Sequence, residues 1–336
     1  MRKGLFFFAR LGCALCPLAL SLLLLSACQA HPAWAVWLGR NLLAPCFGVL
    51  GRLSALCPFP VCIVVAAALF LFAAVCLARR RWFCLFAVAC TLAAALIGGW
   101  GVLCQQPALT LPLQAQSSSG GLLALCQTLA AQAEQNACEP PQEIFSLVPH
   151  ALDAALDDLR AQGIDTPLGS FAAPRASRMS GLFSHLLIEG MFIPFTGEAL
   201  VNEAMPACCL PFVACHEAAH ARGFAREEDA NLLAYLACSA SQEPYFRFSG
   251  AVCALSFAMD ALRETDAAAH AALYDALPER VRQALEDRSA FWQPYRRTRA
   301  AAISVSVNES YLNTLGSQQE GIASYGGFVE TLLKIQ

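Results

Sequence analysis

Three stretches of the chain run without a charged residue, at 11–28, 60–78 and 82–104. A helix rises about 1.5 Å per residue, so ~20 apolar residues cross the hydrocarbon core of a bilayer. Each stretch therefore predicts a transmembrane helix. Residues 33–59 are also apolar, but Arg40, Asn41, Arg52 and several Gly and Pro interrupt them, and Trp34 and Trp37 sit near their start. Tryptophan and snorkelling arginine suit a helix lying in the headgroup layer, so this stretch predicts an interfacial segment. A re-entrant hairpin is the competing arrangement.

Beyond residue 104 the pattern changes. Residues 105–121, rich in Gln, Ser and Gly, predict a linker leaving the membrane. Helical periodicity then dominates residues 122–336, with amphipathic segments at 122–135 and 144–162 and helical patterning over 210–262 and 266–302. The β-prone run Met191–Phe195 followed by Thr196-Gly197 marks the region of Pro174 to Pro206 as the place for strand structure. The expected fold is mainly α: three N-terminal transmembrane helices, then a helical domain with little β structure.

Composition sharpens this division. The chain is 57% hydrophobic and only 14% charged, against roughly 25% in ordinary globular proteins, which excludes a typical soluble enzyme. Residues 1–104 carry eight Lys/Arg and no Asp or Glu, whereas residues 105–336 have a net charge of −11. An acidic domain has no cationic stripe for phosphates, so a nucleic-acid partner is not expected. Arg2, Lys3 and Arg10 precede the first span and Arg79, Arg80 and Arg81 separate the other two. The positive-inside rule puts both groups in the cytoplasm and the acidic domain outside it, in a multi-pass cell-membrane protein. Leu25-Ser26-Ala27-Cys28 is also like a lipoprotein signal, but residues 33–59 have no soluble character for a lipid on Cys28 to tether. Of 17 cysteines, ten lie in residues 1–104, where Cys packs as a small hydrophobe. The remaining seven show no CxxC spacing, and an oxidised pair such as Cys126 with Cys138 is open.

The chemistry is concentrated at His216-Glu217-Ala218-Ala219-His220, inside an Ala-rich helical run. Positions four apart share a helix face, so both imidazoles can bind one Zn2+ ion while Glu217 reaches its water. Zinc acidifies water and polarises a carbonyl; Glu217 is then the expected general base. A third protein ligand is required. The acidic cluster after Gly223, Glu227-Glu228-Asp229, can supply it; Glu227 is preferred, with Asp229, Glu228 and a distant acid as alternatives. A solvated helix N-terminus would explain the same acids without metal.

This run resembles the zincin metallopeptidases, whose gluzincin branch takes its third ligand, a Glu, from a second helix. The resemblance implies Glu227 as ligand and Asn231 where that branch has an Asp aligning a histidine. Two departures stand out. The interval from His220 to Glu227 is short for gluzincins, and Asn231 orients a histidine less strongly than a carboxylate; the His216–Gly223 spacing also resembles the metzincins, but Arg226 stands where their third histidine would be. A broader set of motifs, Met179-Ser180-Gly181, Phe195-Thr196-Gly197-Glu198-Ala199, Leu210-Pro211-Phe212, the 216–231 run, Leu233-Ala234-Tyr235-Leu236-Ala237-Cys238 and Ser324-Tyr325-Gly326, resembles an uncharacterised bacterial family of multi-pass proteins with a domain of unknown function. That resemblance implies a membrane zinc peptidase and supplies no substrate.

Zincins place the substrate-pairing edge strand before the metal helix, so Glu198 or Asn202 is expected to line the cleft, unless Thr196-Gly197 is simply a turn. Tyr235 and Tyr325 are candidates for an oxyanion donor or for packing. The function expected is hydrolysis, near the bilayer, of a peptide or protein substrate on the extracytoplasmic side. The alternatives are a non-catalytic zinc-binding sensor or scaffold with a zincin fold, and a membrane structural protein.

Overall fold

A computed structural model describes residues 2–111, 121–167, 171–314 and 321–335. The chain is mainly helical. Helices α1 (Arg2–Ala30), α2 (Pro32–Ala55), α3 (Val61–Ala78) and α4 (Trp82–Gly101) come first. Among the described residues, four stretches are long and apolar enough to cross a membrane: Arg10–Ala30 and the whole of α2, α3 and α4. The observed starts of α3 and α4 agree with the hydropathy reading, because Pro60 and Arg81 directly precede them.

Helix α2 occupies most of the segment expected to lie in the interface. It does not turn back on itself, so a re-entrant hairpin is not what forms. Pro45 has no N–H for the carbonyl four residues earlier and would clash with it. The chain absorbs this by widening into a π turn over Gly39–Leu43 and then continuing as helix to Ala55.

One face of α2 is covered. Ala44, Phe47, Gly48, Gly51 and Ser54 are buried, at helical spacing. A Cβ on Gly51 would lie 2.5 Å from the carbonyl oxygen of Gly197, so that helix and turn approach backbone to backbone. Ser54 Oγ donates to the Thr196 carbonyl at 2.8 Å. The opposite face exposes Leu42, Val49, Leu53 and Leu56.

The remaining helices are α5 (Gly121–Asn136), α6 (Ile144–Ala161), α7 (Ser180–His185), α8 (Leu210–Ala221), α9 (Glu227–Ala240), α10 (Pro244–Thr265), α11 (Ala267–Ala276), α12 (Glu279–Trp292), α13 (Arg299–Thr314) and α14 (Gly321–Ile335). Helix α10 is the axis of the core: Phe246, Val252, Leu255 and Ala258 are fully enclosed, with α5, α8, α9 and α14 packed around it.

Strands β1 (Arg175–Ala176), β2 (Gly190–Ile193) and β3 (Glu198–Val201) form one small sheet in the order β1-β3-β2. Strand β3 pairs parallel with β1 and antiparallel with β2. It is therefore the central strand, and β2 supplies the edge that the sequence reading assigned to the Glu198 segment.

Of the expected linker, 112–120 lies outside the described residues. Residues 105–111 do not trail freely: the Leu109 amide donates to Asp229 Oδ1 at 2.9 Å, and Leu109 and Leu111 pack on the core. The membrane helices and the domain thus share a packed boundary. All 17 cysteines are free thiols, so Cys126 and Cys138 are not bridged, and Cys28 is enclosed by Ala35 and Val102.

Candidate metal centre

The centre is built by one helical hairpin. Helix α8 ends at Ala221, and Gly223 takes φ +91°, a conformation that costs glycine little and other residues much. The chain reverses there, and Glu227 opens α9 after only a short turn. In such an antiparallel pair, one turn back along α8 matches one turn forward along α9. His220 accordingly faces Glu227, and His216 faces Asn231. The short interval that is unusual for a two-helix ligand set is what this tight hairpin requires.

His216 Nε2 lies 3.3 Å from Glu227 Oε2, and His220 Nε2 lies 3.6 Å from Glu227 Oε1. The ligating atoms of the three residues all fall within 4.8 Å of one another. Each histidine is oriented through its other nitrogen: His216 Nδ1 meets Asn231 Oδ1 at 2.9 Å, and His220 Nδ1 meets the Phe224 carbonyl at 2.7 Å. Both Nδ1 atoms face acceptors, so a neutral imidazole at either position keeps its proton there and turns Nε2 towards Glu227, free to bind a metal. This donor set, two imidazoles and one carboxylate, fits a zinc ion with a coordination position to spare.

Electrostatics agree with the geometry. Burial on its own favours the neutral forms of these groups, and their mutual charges oppose it. The His220 imidazole is pushed up to about 9, the Glu227 carboxylate outweighing desolvation. Glu227, although its burial acts the other way, is held well below the usual carboxylate range by His220 and His216. In the absence of metal, proton and carboxylate neutralise one another here.

Glu217 stands apart from this set. It is buried, and its Oε2 has no hydrogen-bond partner. Burial raises its carboxyl to about 7, against the lowering effect of both histidines. A Cβ on Gly190 would lie 2.5 Å from Glu217 Oε1, so β2 passes directly over this carboxyl, and any larger residue there would displace it. A buried acid lacking a partner is costly to keep, and its place beside this cluster makes Glu217 the candidate for proton transfer.

The other acids of the cluster have separate partners. Glu228 accepts from Arg226 at 2.9 Å, and Asp229 accepts from the Leu109 amide. Burial raises Asp229 to about 6. Both are therefore engaged elsewhere, and Glu227 is the acid that reaches the histidines.

Glu198 and Asn202 do not line the cleft. Glu198 is 2% exposed and caps α3: it accepts from the amides of Val61 at 2.8 Å and Cys62 at 2.7 Å, and pairs with Arg175 at 2.8 Å. Asn202 is buried and donates to Ser184 Oγ and the Ile188 carbonyl. Both side chains are committed to these structural partners instead. Tyr235 faces the core, its hydroxyl donating to Gln132 at 3.4 Å and its ring near Phe328. The Tyr325 side chain lies outside the described residues.

Sequence reasoning missed the aromatic wall. Trp100, in a π turn over Ile97–Gly101 at the end of α4, lies 5.5 Å from the His220 ring, edge to face. Phe192 of β2 contacts both Trp100 and Phe47 of α2, with centroids 5.6 and 5.3 Å apart. The run Gly98-Gly99-Trp100-Gly101 was the available signal, since glycines beside a tryptophan at a helix end mark an irregular turn.

The geometry defines a mainly helical protein with several helices long and apolar enough to cross a membrane and a His/His/Glu cluster beside a buried acid. The chain belongs to a family whose model is described as protein of unknown function (DUF3810), matched over residues 40–333. The match takes in most of α2, the helices α3 and α4, and nearly all of the domain. No curated protein and no solved structure matches the chain.

Proposed function

We propose that this protein is a membrane-anchored, zinc-dependent peptidase whose domain lies on the extracytoplasmic side. The observation that carries the reading is the convergence of two oriented Nε2 atoms and Glu227 beside the unpartnered carboxyl of Glu217. A zinc ion bound there would supply a Lewis acid that makes water more acidic and a peptide carbonyl more electrophilic. His216, His220 and Glu227 would hold it, and Asn231 and the Phe224 carbonyl keep both imidazoles turned towards it.

The chain's own residues do the rest. Glu217 Oε2, with an affinity for protons poised near neutrality, takes the proton from water and returns it to the departing amine. Register along β2 leaves the amides and carbonyls of Gly190 and Phe192 pointing away from β3, because Asn202 donates to the Glu189 carbonyl and antiparallel bonding alternates. An extended peptide can pair with that edge, passing Glu217 at Gly190. Trp100, Phe47 and Phe192 keep water from the inner side of the cleft.

The proposed topology is supported by which helix ends meet the domain. The end of α1 packs on Val102, α3 begins at the Glu198 carboxylate, and α4 ends against His220. Both ends of α2 are also on that side, near Cys28 and at Thr196. Three helices then cross while α2 lies flat, with Arg79–Arg81 on the opposite, cytoplasmic face.

Glu217→Gln tests the chemistry. It keeps size and polar reach but cannot accept the proton, so zinc should remain bound while peptide hydrolysis falls about 10²–10⁴-fold. Cleavage products that are identical for the two forms would remove the mechanism. Zinc bound with no products from either form would favour the non-catalytic sensor or scaffold.

A further inference from the structure

The geometry points to a substrate class: polypeptides that are themselves anchored in the bilayer, cut within a few residues of the point where they leave it. This rests on the peptidase reading above and adds to it where the scissile bond must lie.

Three independent contacts fix the height of the centre. Trp100, on the last turn of α4, touches the imidazole of His220. Phe47, on the covered face of α2, touches Phe192 of the edge strand. The Gly197 turn that joins β2 to β3 sits backbone against backbone on Gly51 of the same helix. The inner wall of the cleft is therefore made by the membrane segment itself.

Helix α2 is the layer between cleft and lipid. Its contacts with the domain run along its length, from Ala44 beside Gly223 to Ser54 bonded to Thr196. Its other face presents Leu42, Val49, Leu53 and Leu56, with Trp34 and Trp37 also exposed. The occupant of that face is the outer leaflet, since the helices preceding and following α2 are continuous apolar spans. Nearby, Phe195 and Met191 of the β2–β3 hairpin are exposed as well, which extends the apolar surface up to the edge strand.

The distance follows from helix size. One helix is about 10 Å across, so the edge strand runs roughly 10 Å above the hydrocarbon that the outer face of α2 meets. An extended chain covers ~3.4 Å per residue, so a peptide rising from the bilayer reaches this strand after about three to five residues. A freely diffusing peptide gains nothing from this placement, whereas an anchored one is delivered to the edge at high effective concentration.

The test uses the full chain in phosphatidylethanolamine/phosphatidylglycerol vesicles loaded with zinc. Its probe is a library of random octapeptides, each joined by a polar spacer of varied length to one apolar transmembrane helix. The same library without the helix is the comparison. The expected result is cleavage of the anchored library at least 10-fold faster, with cut sites clustered three to five residues from the helix whatever the spacer length. Equal rates for free and anchored libraries, or cut sites scattered along the spacer, would overturn the inference and leave the peptidase reading intact. Cleavage of neither library by a zinc-loaded protein would overturn both.

Discussion

The Glu198 carboxylate joins the membrane segment to the domain, and its removal has a calculable cost. It is almost wholly buried and accepts from two backbone amides at the start of α3 and from the Arg175 guanidinium. Hydrogen bonds to a charged group contribute ~1.5–3 kcal/mol each, and breaking a buried pair by deleting one partner costs ~3–5 kcal/mol. Arg175 is 26% exposed and also donates to the carbonyls of Ser54 and Cys57, so part of its charge stays satisfied. Glu198→Ala should therefore lose about 3 kcal/mol, and Glu198→Gln, which keeps one acceptor, about half as much. For a domain of this size each kcal/mol moves the midpoint by ~2–4 °C, so the Ala variant should melt about 6–12 °C lower. Thermal unfolding in detergent micelles, followed by far-UV circular dichroism, measures this. Limited proteolysis in the Cys57–Pro60 connection should show the same detachment locally, and Arg175→Ala combined with Glu198→Ala should fall short of additivity. Midpoints within 1 °C of the parent for both Glu198 variants would refute the argument that this group pins the helix.

Other outcomes follow from the centre. His216→Ala, His220→Ala and Glu227→Ala should each abolish retention of zinc through dialysis, whereas Glu228→Ala and Asp229→Ala should retain it; elemental analysis decides. Asn231→Ala should weaken zinc binding about 10–100-fold in chelator competition, and Asn231→Asp should restore it, because the Oδ1 acceptor for His216 returns. Gly190→Ala must displace the Glu217 carboxyl by nearly an ångström, so hydrolysis should drop on the order of 100-fold with zinc still bound. Reporter fusions at Gln105 and Arg80 should read opposite sides of the membrane; a cytoplasmic Gln105 would reverse the topology.

What the sequence disclosed depended on how locally each feature is determined. Apolar runs and their bounding Pro60 and Arg81 are legible because a spanning helix answers only to the bilayer. The histidine pair and Glu227 are legible because helix periodicity and one glycine turn suffice to bring them together. Glu198 was misread because its environment depends on β1, a two-residue strand whose pairing with β3 no local pattern announces. The same holds for Trp100: its contact with His220 joins residues 120 positions apart, and the packing that brings them together leaves no periodic trace. Helix α2 was half legible, its apolar outer face plain and the π turn that rescues its continuity hidden.

The hairpin has a consequence for the order in which the molecule is made. His216, His220, Glu227 and Asn231 leave the ribosome as one short stretch, after α2, α4 and β2 and before α10. The donors can therefore come together locally, before the long-range contacts of α10 close the core around them. On the proposed reading, an ion can be acquired during export, through an opening wider than the finished cleft. Depletion of zinc during synthesis would then be harder to reverse than its removal from the mature protein.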